Sequence, residues 1–492
     1  MTAEVCVIGA GMAGLLCALE LTERGRSVVV LERQGVGAGD TAATTAHLST
    51  LLDTRYFTLA HWHGAEAARL IATSHMRGIA HLERVANTYG IECGFQRVSG
   101  FLCAANAEQA ELLAREHAAA TAAGISCELI RRPPLPLGDG PALHVPHQAE
   151  LEPLEFLDGV AQALEREGVP VLAPVTVQSI DTVSASDEVA VKTNTGFTVR
   201  ARYVIVATST PINDLVLLHT KLAAYRSYGI AAAIPGLVPA LAWDLNEPYH
   251  YARTALHAAT GRPVLLVGGE DHRVGQDLDN ERRFTALSEW LRERFPDAGE
   301  IVSQWSGQVF EPSDGLAYIG RNPGQERVLV LTGFSGNGMS YSGLGAELIA
   351  DLVQGADSPC QSLYDPARKP SSLGAVRRFV RENLNVVGQY SDWLGPADVA
   401  RPEDIPRGQG AVLRRGLRRV AVYVDELGLS HELSASCPHL GGVVAWNAAE
   451  RSWDCPCHGS RFDPYGTVIE GPAVCDLQPL SGAAPTKIGK AS

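Results

Sequence analysis

The chain has 492 residues, 46% of them hydrophobic, which is enough for about three domains of ordinary size. Its 41 basic and 55 acidic side chains give a net charge of −14, which disfavours nucleic acid or an anionic membrane as the main partner. No apolar run reaches the roughly 18 residues of a membrane-spanning helix. We therefore expect a soluble cytoplasmic protein with no membrane span that acts on a small molecule or binds basic proteins.

Charge and cysteine are unevenly distributed along the chain. Residues 401–492 contain ten basic and ten acidic side chains, so the remaining 31 basic and 45 acidic ones lie in the first 400 residues. Four of the ten cysteines, Cys437, Cys455, Cys457 and Cys475, lie within the last 56 residues. In a reducing cytoplasm, clustered cysteines indicate metal ligands rather than disulfides. Both patterns predict a domain change near residue 400.

The chain opens with a strand (Glu4–Ile8), a glycine turn (Gly9 to Gly14), a helix (Leu15–Arg24) and a second strand (Ser27–Leu31). In such a unit the first glycine makes the turn, the second lets the backbone approach a pyrophosphate, and the third lets the helix pack on the strand. The helix N-terminus then faces the anion. Glu32, 18 residues after the last glycine, is placed to bind a ribose hydroxyl. The pattern predicts a bound dinucleotide, and a nucleotide-free doubly wound fold remains the alternative.

Later segments resemble the D-amino-acid oxidase and glycine oxidase superfamily of flavoproteins. They are the small-residue loop 39–48, Val175–Val177, Tyr203–Thr208, Trp305–Gln308, Asp314–Arg321, and Leu331–Ser340 leading into a helix at Gly345–Val353. The resemblance implies FAD and an α/β flavoprotein, with a Rossmann-like FAD-binding domain and an inserted α+β substrate domain. It also implies that the N-terminus of the late helix points at the flavin O2 edge, where its amides stabilise the negative charge of the reduced ring.

The fingerprint and the resemblance together predict the residues that bind FAD. They are Gly9, Ala10, Gly11, Met12, Ala13, Gly14, Glu32, Arg33, Thr41, Thr44, Thr45, Ala46, His47, Val177, Ala207, Thr208, Gly333, Gly336, Gly338, Met339 and Ser340.

The insertion between Ala207 and Trp305 is where the superfamily builds its substrate lid. An arginine near Arg253 often holds a substrate carboxylate there, because a guanidinium matches a carboxylate bidentately. Tyr228, Tyr251 and His47 are further candidates for contact with substrate or for catalysis. The alternatives are an ion-paired arginine and aromatic side chains that only pack. No catalytic base is visible in the sequence.

The last domain contains two boxes, Cys437-Pro-His439 and Cys455-Pro-Cys457-His458, separated by the fifteen residues 440–454. This arrangement resembles the Rieske ferredoxin family. The resemblance implies a small all-β domain with a [2Fe-2S] cluster, whose buried iron is held by Cys437 and Cys455 and whose outer iron is held by His439 and His458 at an exposed tip. A Cys2His2 zinc site is the alternative, although zinc fingers use CxxC and HxxxH pairs rather than mixed boxes.

These patterns divide the chain into three parts. The flavoprotein part spans 1–370, with substrate-domain segments at about 50–150 and 210–300. A linker follows at 371–399, where Leu373–Leu394 has the periodicity of a helix, and the Rieske domain spans 400–492.

Two departures from high-potential Rieske proteins concern the cluster. Gly442 replaces the cysteine that would pair with Cys457, so that disulfide cannot form, and Phe462 replaces a tyrosine whose hydroxyl bonds a ligand sulfur. Ser460 is still present to donate to a bridging sulfide. A lost donor leaves more negative charge on a cluster and lowers its potential. The sequence therefore predicts a midpoint in the lower part of the Rieske range of about −150 to +300 mV.

For two functions, the sequence predicts that this chain alone is not sufficient. A Rieske oxygenase needs a mononuclear iron site, but only 34 residues and no histidine follow His458. A ferredoxin reductase needs a second dinucleotide unit, and the sequence has none.

What remains is an FAD and [2Fe-2S] oxidoreductase. It would oxidise an amine-like C–N bond by hydride transfer to the flavin and pass electrons singly through the cluster to an external acceptor protein. Three alternatives stay open: an oxidase that uses oxygen directly with the cluster auxiliary, an electron-transfer module without its own substrate, and a redox sensor that only binds partners.

Overall fold

The computed structural model describes residues 1–182, 187–213, 218–277, 279–370, 372–480 and 486–487. The helices are α1 (Met12–Glu23), α2 (Asp40–Ala43), α3 (Tyr56–His63), α4 (Ala65–Tyr89), α5 (Ala107–Ala122), α6 (Pro153–Arg166), α7 (Glu281–Arg294), α8 (Gly338–Gln354), α9 (Gln361–Tyr364) and α10 (Leu373–Gln389). Short 3₁₀ helices lie at His219–Lys221, Tyr390–Trp393 and Pro402–Asp404.

The strands form four sheets. They are β1 (Thr2–Ile8), β2 (Val28–Leu31), β3 (His47–Leu48), β4 (Gln96–Cys103), β5 (Glu128–Ile130), β6 (Ala142–Glu150), β7 (Val171–Leu172), β8 (Val177–Thr182), β9 (Val189–Thr193), β10 (Thr198–Val206), β11 (Leu222–Ala233), β12 (Ala240–Asp244), β13 (His250–Leu256), β14 (Pro263–Arg273), β15 (Ile301–Pro312), β16 (Tyr318–Asn322), β17 (Gln325–Thr332), β18 (Gln409–Arg415), β19 (Arg418–Val424), β20 (Leu429–Ser434), β21 (Ala445–Asn447), β22 (Ser452–Asp454), β23 (Arg461–Phe462), β24 (Val468–Glu470) and β25 (Thr486–Lys487).

The first sheet is the nucleotide-binding sheet, with the order β16-β17-β10-β1-β2-β7 and with β8 and β9 at its side. The run β17-β10-β1-β2-β7 is parallel. Every residue of β2 is buried, as expected of a parallel strand covered on both faces. The carboxyl ends of β1, β2 and β10 therefore meet at one edge, where open α/β sheets bind their ligands.

The second sheet has nine strands in the order β15-β11-β14-β13-β12-β4-β6-β3, with β5 paired to β6. Its strands come from two separate stretches of chain, 47–150 and 222–312. Helix α7 covers one face through Leu287 and Leu291, which pack in a core with Tyr228 and Ile230. The sheet thus forms a wall opposite the nucleotide-binding edge.

The C-terminal domain consists of two small antiparallel sheets, β18-β19-β20-β25 and β21-β22-β23-β24. Trp453 and Phe462 are fully buried between them, in the same core as Cys437 and Cys455. Both cysteine boxes lie in loops of this all-β domain.

Helix α8 begins at Gly338, seven residues before the Gly345 start that the sequence predicts. The glycine- and serine-rich segment 338–345 has low helix propensity, but close packing against α4 compensates. A Cβ on Gly78 of α4 would lie 2.2 Å from the Ser340 carbonyl oxygen, and one on Gly343 would lie 2.2 Å from the Gly78 carbonyl oxygen. The two helices approach too closely for larger residues, so the glycines that weaken α8 locally also permit its packing.

Among the described residues, no helix combines the length and apolar character needed to cross a membrane.

Candidate functional site

A cavity of about 590 Å³ lies at the carboxyl edge of the nucleotide-binding sheet. The glycine turn after β1, the loop 38–55, the N-terminus of α8 and strands β11, β13 and β15 of the second sheet contribute to its walls. The Rieske domain contributes as well, through Ile469–Gly471, Ala473 and Val474. The cavity is therefore enclosed by both sheets of the flavoprotein part and by the C-terminal domain.

The glycine turn has the geometry that a pyrophosphate requires. Gly9 has φ +105°, and a Cβ there would lie 2.5 Å from the Ala207 carbonyl oxygen. A Cβ on Gly14 would lie 1.9 Å from the Gly9 carbonyl oxygen, so α1 packs directly on the turn. The Glu32 carboxylate accepts the amides of Ala10 at 2.8 Å and Gln34 at 2.7 Å and faces the cavity. A Rossmann turn of this shape fits the FAD pyrophosphate, and Glu32 fits its ribose.

The N-terminus of α8 also faces the cavity. Gly336, Asn337, Gly338 and Met339 line it, and the Gly336 amide donates to the Asp53 carboxylate at 2.7 Å. The first amides of a helix lack intrahelical acceptors, so this end provides donors and a positive dipole where a reduced flavin carries negative charge. The site fits the isoalloxazine ring as well as the dinucleotide.

Most of the residues predicted to bind FAD line this cavity. They are Gly9, Gly11, Met12, Ala13, Glu32, Arg33, Thr41, Thr44, Thr45, His47, Val177, Ala207, Thr208, Gly336, Gly338 and Met339. Five others lie behind its surface: Ala10, Gly14, Ala46, Gly333 and Ser340. They act through packing, since the Ser340 hydroxyl contacts His75 at 2.8 Å and not the cavity.

Aromatic side chains form the substrate side of the cavity. The His47 ring lies edge-on to Tyr251, with centroids 5.4 Å apart, and to Trp243, at 6.3 Å. Tyr228 also lines the cavity, and its hydroxyl contacts His272 Nε2 at 3.0 Å. Burial and the neighbouring Arg253 lower the pKa of His47 to about 3, so its imidazole is neutral at physiological pH. His47, Tyr228, Trp243 and Tyr251 thus form an aromatic part of the cavity wall.

Arg253 does not line the cavity, contrary to the prediction that it contacts substrate. Its guanidinium is almost fully buried, with Nε donating to the Thr45 carbonyl oxygen. The terminal nitrogens lie 3.5 Å from the carboxylates of Glu150 and Glu152. Because its donors are engaged by the protein, Arg253 holds the loop that carries Thr45 and His47 in place.

The two cysteine boxes come together at the tip of the C-terminal domain. Cys437 and Cys455 are buried, and the His439 and His458 rings stand perpendicular with centroids 5.0 Å apart. His458 Nδ1 is buried and has no hydrogen-bond partner among the described residues. Burial and the nearby histidines lower the pKa of His458 to about 3, so the ring has the neutral form that coordinates metal.

These four side chains fit a [2Fe-2S] cluster better than a zinc ion. Within the described parts of the chain, no group of three or more His, Cys, Asp or Glu side chains is arranged to hold a single metal ion. A Rieske cluster takes only two protein ligands on each iron. The buried thiols and the adjacent imidazoles provide two such pairs.

The family resemblance implied that the cluster histidines lie at an exposed tip, but in the structure they are covered. Each is only 9% exposed, because the flavoprotein part covers them. His219 lies edge-on to His439, with ring centroids 4.7 Å apart, and 5.9 Å from His458. The end of the Rieske domain that usually faces solvent is docked inside the chain.

A buried ionic network holds the two domains together. Arg226 of β11 donates through Nε to Glu450 at 2.8 Å, and its Nη1 lies 3.5 Å from Glu470. Arg461 of the Rieske domain binds the same Glu450 at 2.8 Å. Burial raises the pKa of Glu450, but Arg226 and Arg461 more than offset this and lower it to about 2. Nearby, the Gln308 amide donates to the Gly459 carbonyl oxygen at 2.8 Å.

Sequence reasoning missed His219, the ionic role of Arg226 and the cavity-lining segment 469–474. Nothing in the local sequence around His219 or Arg226 distinguishes them from packing residues, because their partners lie more than 200 positions away in the chain.

Comparison with known proteins identifies both parts of the chain. The protein-family model "FAD dependent oxidoreductase" matches residues 4–352, and the model "Rieske [2Fe-2S] domain" matches residues 395–481. The chain belongs to the FAD dependent oxidoreductase family. It carries a Rieske domain after the flavoprotein part, and its cofactors are FAD and a [2Fe-2S] cluster.

One relative and two solved structures illustrate what this oxidoreductase is similar to. The Rieske 2Fe-2S iron-sulfur protein YhfW of Bacillus subtilis is 29% identical over 484 residues, which cover 97% of this chain and 93% of YhfW. Glycine oxidase from Geobacillus kaustophilus superposes with a TM-score of 0.61 at 20% identity, covering 75% of this chain and 99% of that one. L-proline dehydrogenase from P. horikoshii superposes with a TM-score of 0.60 at 19% identity, covering 75% of this chain and 97% of that one. The two structures share the fold of the flavoprotein part.

We expect the cluster midpoint to lie in the lower part of the Rieske range of about −150 to +300 mV. Phe462 is fully buried and offers no hydroxyl, whereas Ser460 is buried with its Oγ accepting the Ala473 amide at 3.0 Å. The cluster therefore lacks the tyrosine hydroxyl as a hydrogen-bond donor but retains the Ser460 hydroxyl. Protein-film voltammetry measures the midpoint, and Phe462→Tyr should raise it. A wild-type value above about +200 mV would contradict the prediction.

Gly442→Cys should create a disulfide with Cys457. A Cβ at position 442 would lie 2.6 Å from Cys457 Sγ and 3.4 Å from Cys457 Cβ, close to the Cβ separation of about 3.5–4.5 Å in disulfides. Closing a loop of about 15 residues should stabilise the oxidised protein by about 3 kcal/mol. Peptide mapping under non-reducing conditions and thermal melts test this. Adding Cys457→Ser should abolish both effects, and a variant whose two thiols both titrate freely would show that the geometry is wrong.

Proposed function

We propose that this oxidoreductase removes two electrons from the C–N bond of a small amine and passes them singly through the Rieske cluster to an external acceptor. Bound FAD supplies the hydride acceptor for such a reaction, and the cluster supplies a one-electron carrier.

The observation that carries this proposal is the contact between the flavin cavity and the cluster ligands. Thr210 lines the cavity, and its hydroxyl lies 3.5 Å from His219 Nδ1. The His219 ring in turn contacts His439, a cluster ligand. A continuous chain of packed side chains thus joins the two cofactor sites within one polypeptide. Two cofactor sites that worked independently would not need to be in contact, so this contact supports electron transfer between them.

The substrate side of the cavity supports an uncharged amine nitrogen as the reacting group. His47 is neutral, and burial raises the pKa values of Tyr228 and Tyr251, so these three side chains carry no charge at neutral pH. With FAD and substrate bound, these three rings would help to exclude water from the reacting C–N bond. The residues here orient and shield the substrate, and none is placed as a general base. Relatives named glycine oxidase and L-proline dehydrogenase support amines of the amino-acid class.

Anaerobic mixing of the oxidised holoenzyme with a panel of amines and amino acids tests the proposal. A substrate should bleach the flavin absorbance first, and the electron paramagnetic resonance signal of the reduced cluster should then appear. A bleached flavin with a cluster that stays oxidised would refute the relay. Turnover that needs oxygen and is not rescued by an artificial one-electron acceptor would assign the protein as an oxidase. A flavin that no amine bleaches would favour an electron-transfer module or a sensor.

A further inference from the structure

We propose that an acidic one-electron carrier protein binds the exposed face of α10 together with the β18–β19 hairpin. We call this the α10 surface and define it by the exposed residues Leu384, Val387, Leu394, Leu417, Arg377, Arg381, Arg414 and Arg418. The inference rests on the proposed relay, because it identifies the class of acceptor and where that acceptor docks.

The first argument is an apolar stripe on α10 that no element of the described chain covers. Leu373, Val376, Val380, Leu384 and Val387 recur every three or four residues, so they share one side of the helix, and they are 41–78% exposed. The residues of α10 that are buried are Ala375 and Glu382, on the opposite side. A helix normally turns its apolar stripe inward. Contiguous exposed apolar surface of this kind marks an interaction site.

The second argument is the proximity of this surface to the cluster. After α10, the Tyr390 hydroxyl donates to the Leu440 carbonyl oxygen at 2.8 Å, and the Trp393 indole donates to the Gly441 carbonyl oxygen at 2.9 Å. Leu440 and Gly441 directly follow the ligand His439 and are partly exposed. The histidine side of the cluster faces the flavoprotein part, so this loop gives a partner a second approach to the iron.

The third argument is charge. Arg414 and Arg418 flank Leu417 at the hairpin tip, where Leu417 is 90% exposed. Arg419 of the same hairpin donates to the Gly395 and Pro396 carbonyl oxygens, which fixes the hairpin beside the exposed Leu394. Together with Arg377 and Arg381 on α10, the surface carries four exposed arginines, of which Arg381 also lies 3.4 Å from the Glu382 carboxylate.

An apolar centre with a basic rim is complementary to an acidic partner. A second copy of the chain would bring arginines against arginines, which like-charge repulsion opposes. The electron balance also fits a one-electron carrier. Each amine oxidised to an imine releases two electrons, which reduce two carriers by one electron each, and the protons go to solvent.

Two forms of cytochrome c serve as probes, the native basic protein and its succinylated, acidic derivative. Holoenzyme reduced with dithionite and then desalted is mixed with each in a stopped-flow instrument, and calorimetry measures the binding of the oxidised proteins. We expect the succinylated form to bind and react faster, with a rate that falls as salt is added. Arg377→Glu with Arg381→Glu should lower the association constant and the second-order rate constant about tenfold.

Two controls separate docking from damage. The pair Arg131→Glu with Arg132→Glu, exposed arginines at the far end of β5, should change neither constant. Reduction of hydroxymethylferrocenium, a small cation that needs no docking, should be equal in all variants. Leu384→Gln should weaken binding of the succinylated protein without changing the ferrocenium rate.

Several outcomes would overturn the proposal. They are a faster reaction with native cytochrome c, rates independent of salt, an equal loss in the control pair, a wild-type dimer that Leu384→Gln dissociates, and binding to phosphatidylglycerol vesicles that the α10 variants abolish. Because the enzyme is reduced chemically, this test is independent of whether an amine bleaches the flavin. Failure of the proposed function and failure of this inference can therefore be told apart.

Discussion

The Gly14→Ala protein should emerge from purification without its flavin. The added Cβ would lie 1.9 Å from the Gly9 carbonyl oxygen and 3.0 Å from its carbon, both backbone atoms that cannot rotate away. Helix α1 must then move off the turn that holds the pyrophosphate. Such overpacking costs about 1–3 kcal/mol, and every 1.4 kcal/mol is a tenfold loss of affinity. The flavin absorbance of desalted protein, relative to its cluster signal, measures the loss.

Gly35→Ala is the matched control for this change. Gly35 lies in the loop after β2, near the same cavity, but a Cβ there would meet no atom within 4 Å. We expect it to retain a full complement of FAD. If the Gly14→Ala protein keeps its flavin through desalting, the close approach of α1 to the turn is not what holds the dinucleotide.

The Arg226→Gln variant should lose about 3–5 kcal/mol of stability, because it leaves the partly buried carboxylates of Glu450 and Glu470 with one cation fewer. The Arg226 side chain is only 4% exposed. Since Glu450 has a folded pKa of about 2 against an ordinary value of 4.5, its ion pairs stabilise the protein above pH 4.5 and lose this effect as the pH falls toward 2. The difference from wild type should therefore be largest at neutral pH and shrink below pH 4.5. Denaturant unfolding at several pH values measures it.

Two further variants test the cause. Arg415→Gln breaks an exposed ion pair with Glu432 in the Rieske domain and should cost less than about 1 kcal/mol. Combining Arg226→Gln with Glu450→Gln also removes the carboxylate that keeps only Arg461 as a partner, and should recover part of the lost stability. If the double variant is as unstable as the sum of its parts, the two side chains do not act as a pair.

The features that could be predicted from sequence are those whose chemistry is local in the chain. The turn Gly9–Gly14 and the box Cys455–His458 each place their functional atoms within a few residues, so the spacing alone specifies the geometry. Arg253 shows the limit of this reasoning. Its residue type suits a carboxylate ligand, but whether its guanidinium faces the cavity depends on Glu150, Glu152 and the Thr45 carbonyl, which only the folded chain brings to it.

The docking of the Rieske domain against the flavoprotein part could not be predicted from the sequence for the same reason. The family resemblance implied exposed cluster histidines, because nothing in the boxes indicates what covers them. His219 lies 220 residues before His439, and its contact with that ring follows from how β11 and the preceding turn are placed against the C-terminal domain. Long-range pairs such as Arg226 with Glu450 carry no signal in a single sequence.

The segment 469–474, which closes the flavin cavity, belongs to the domain that folds around the iron. Docking of the C-terminal domain and retention of FAD are coupled as a result, because the docked domain completes part of the wall around the flavin. The Arg33 side chain, which lines the cavity and donates to the Ile469 carbonyl oxygen, joins the two events. We therefore expect protein prepared without its cluster to retain less flavin after desalting than the holoprotein does.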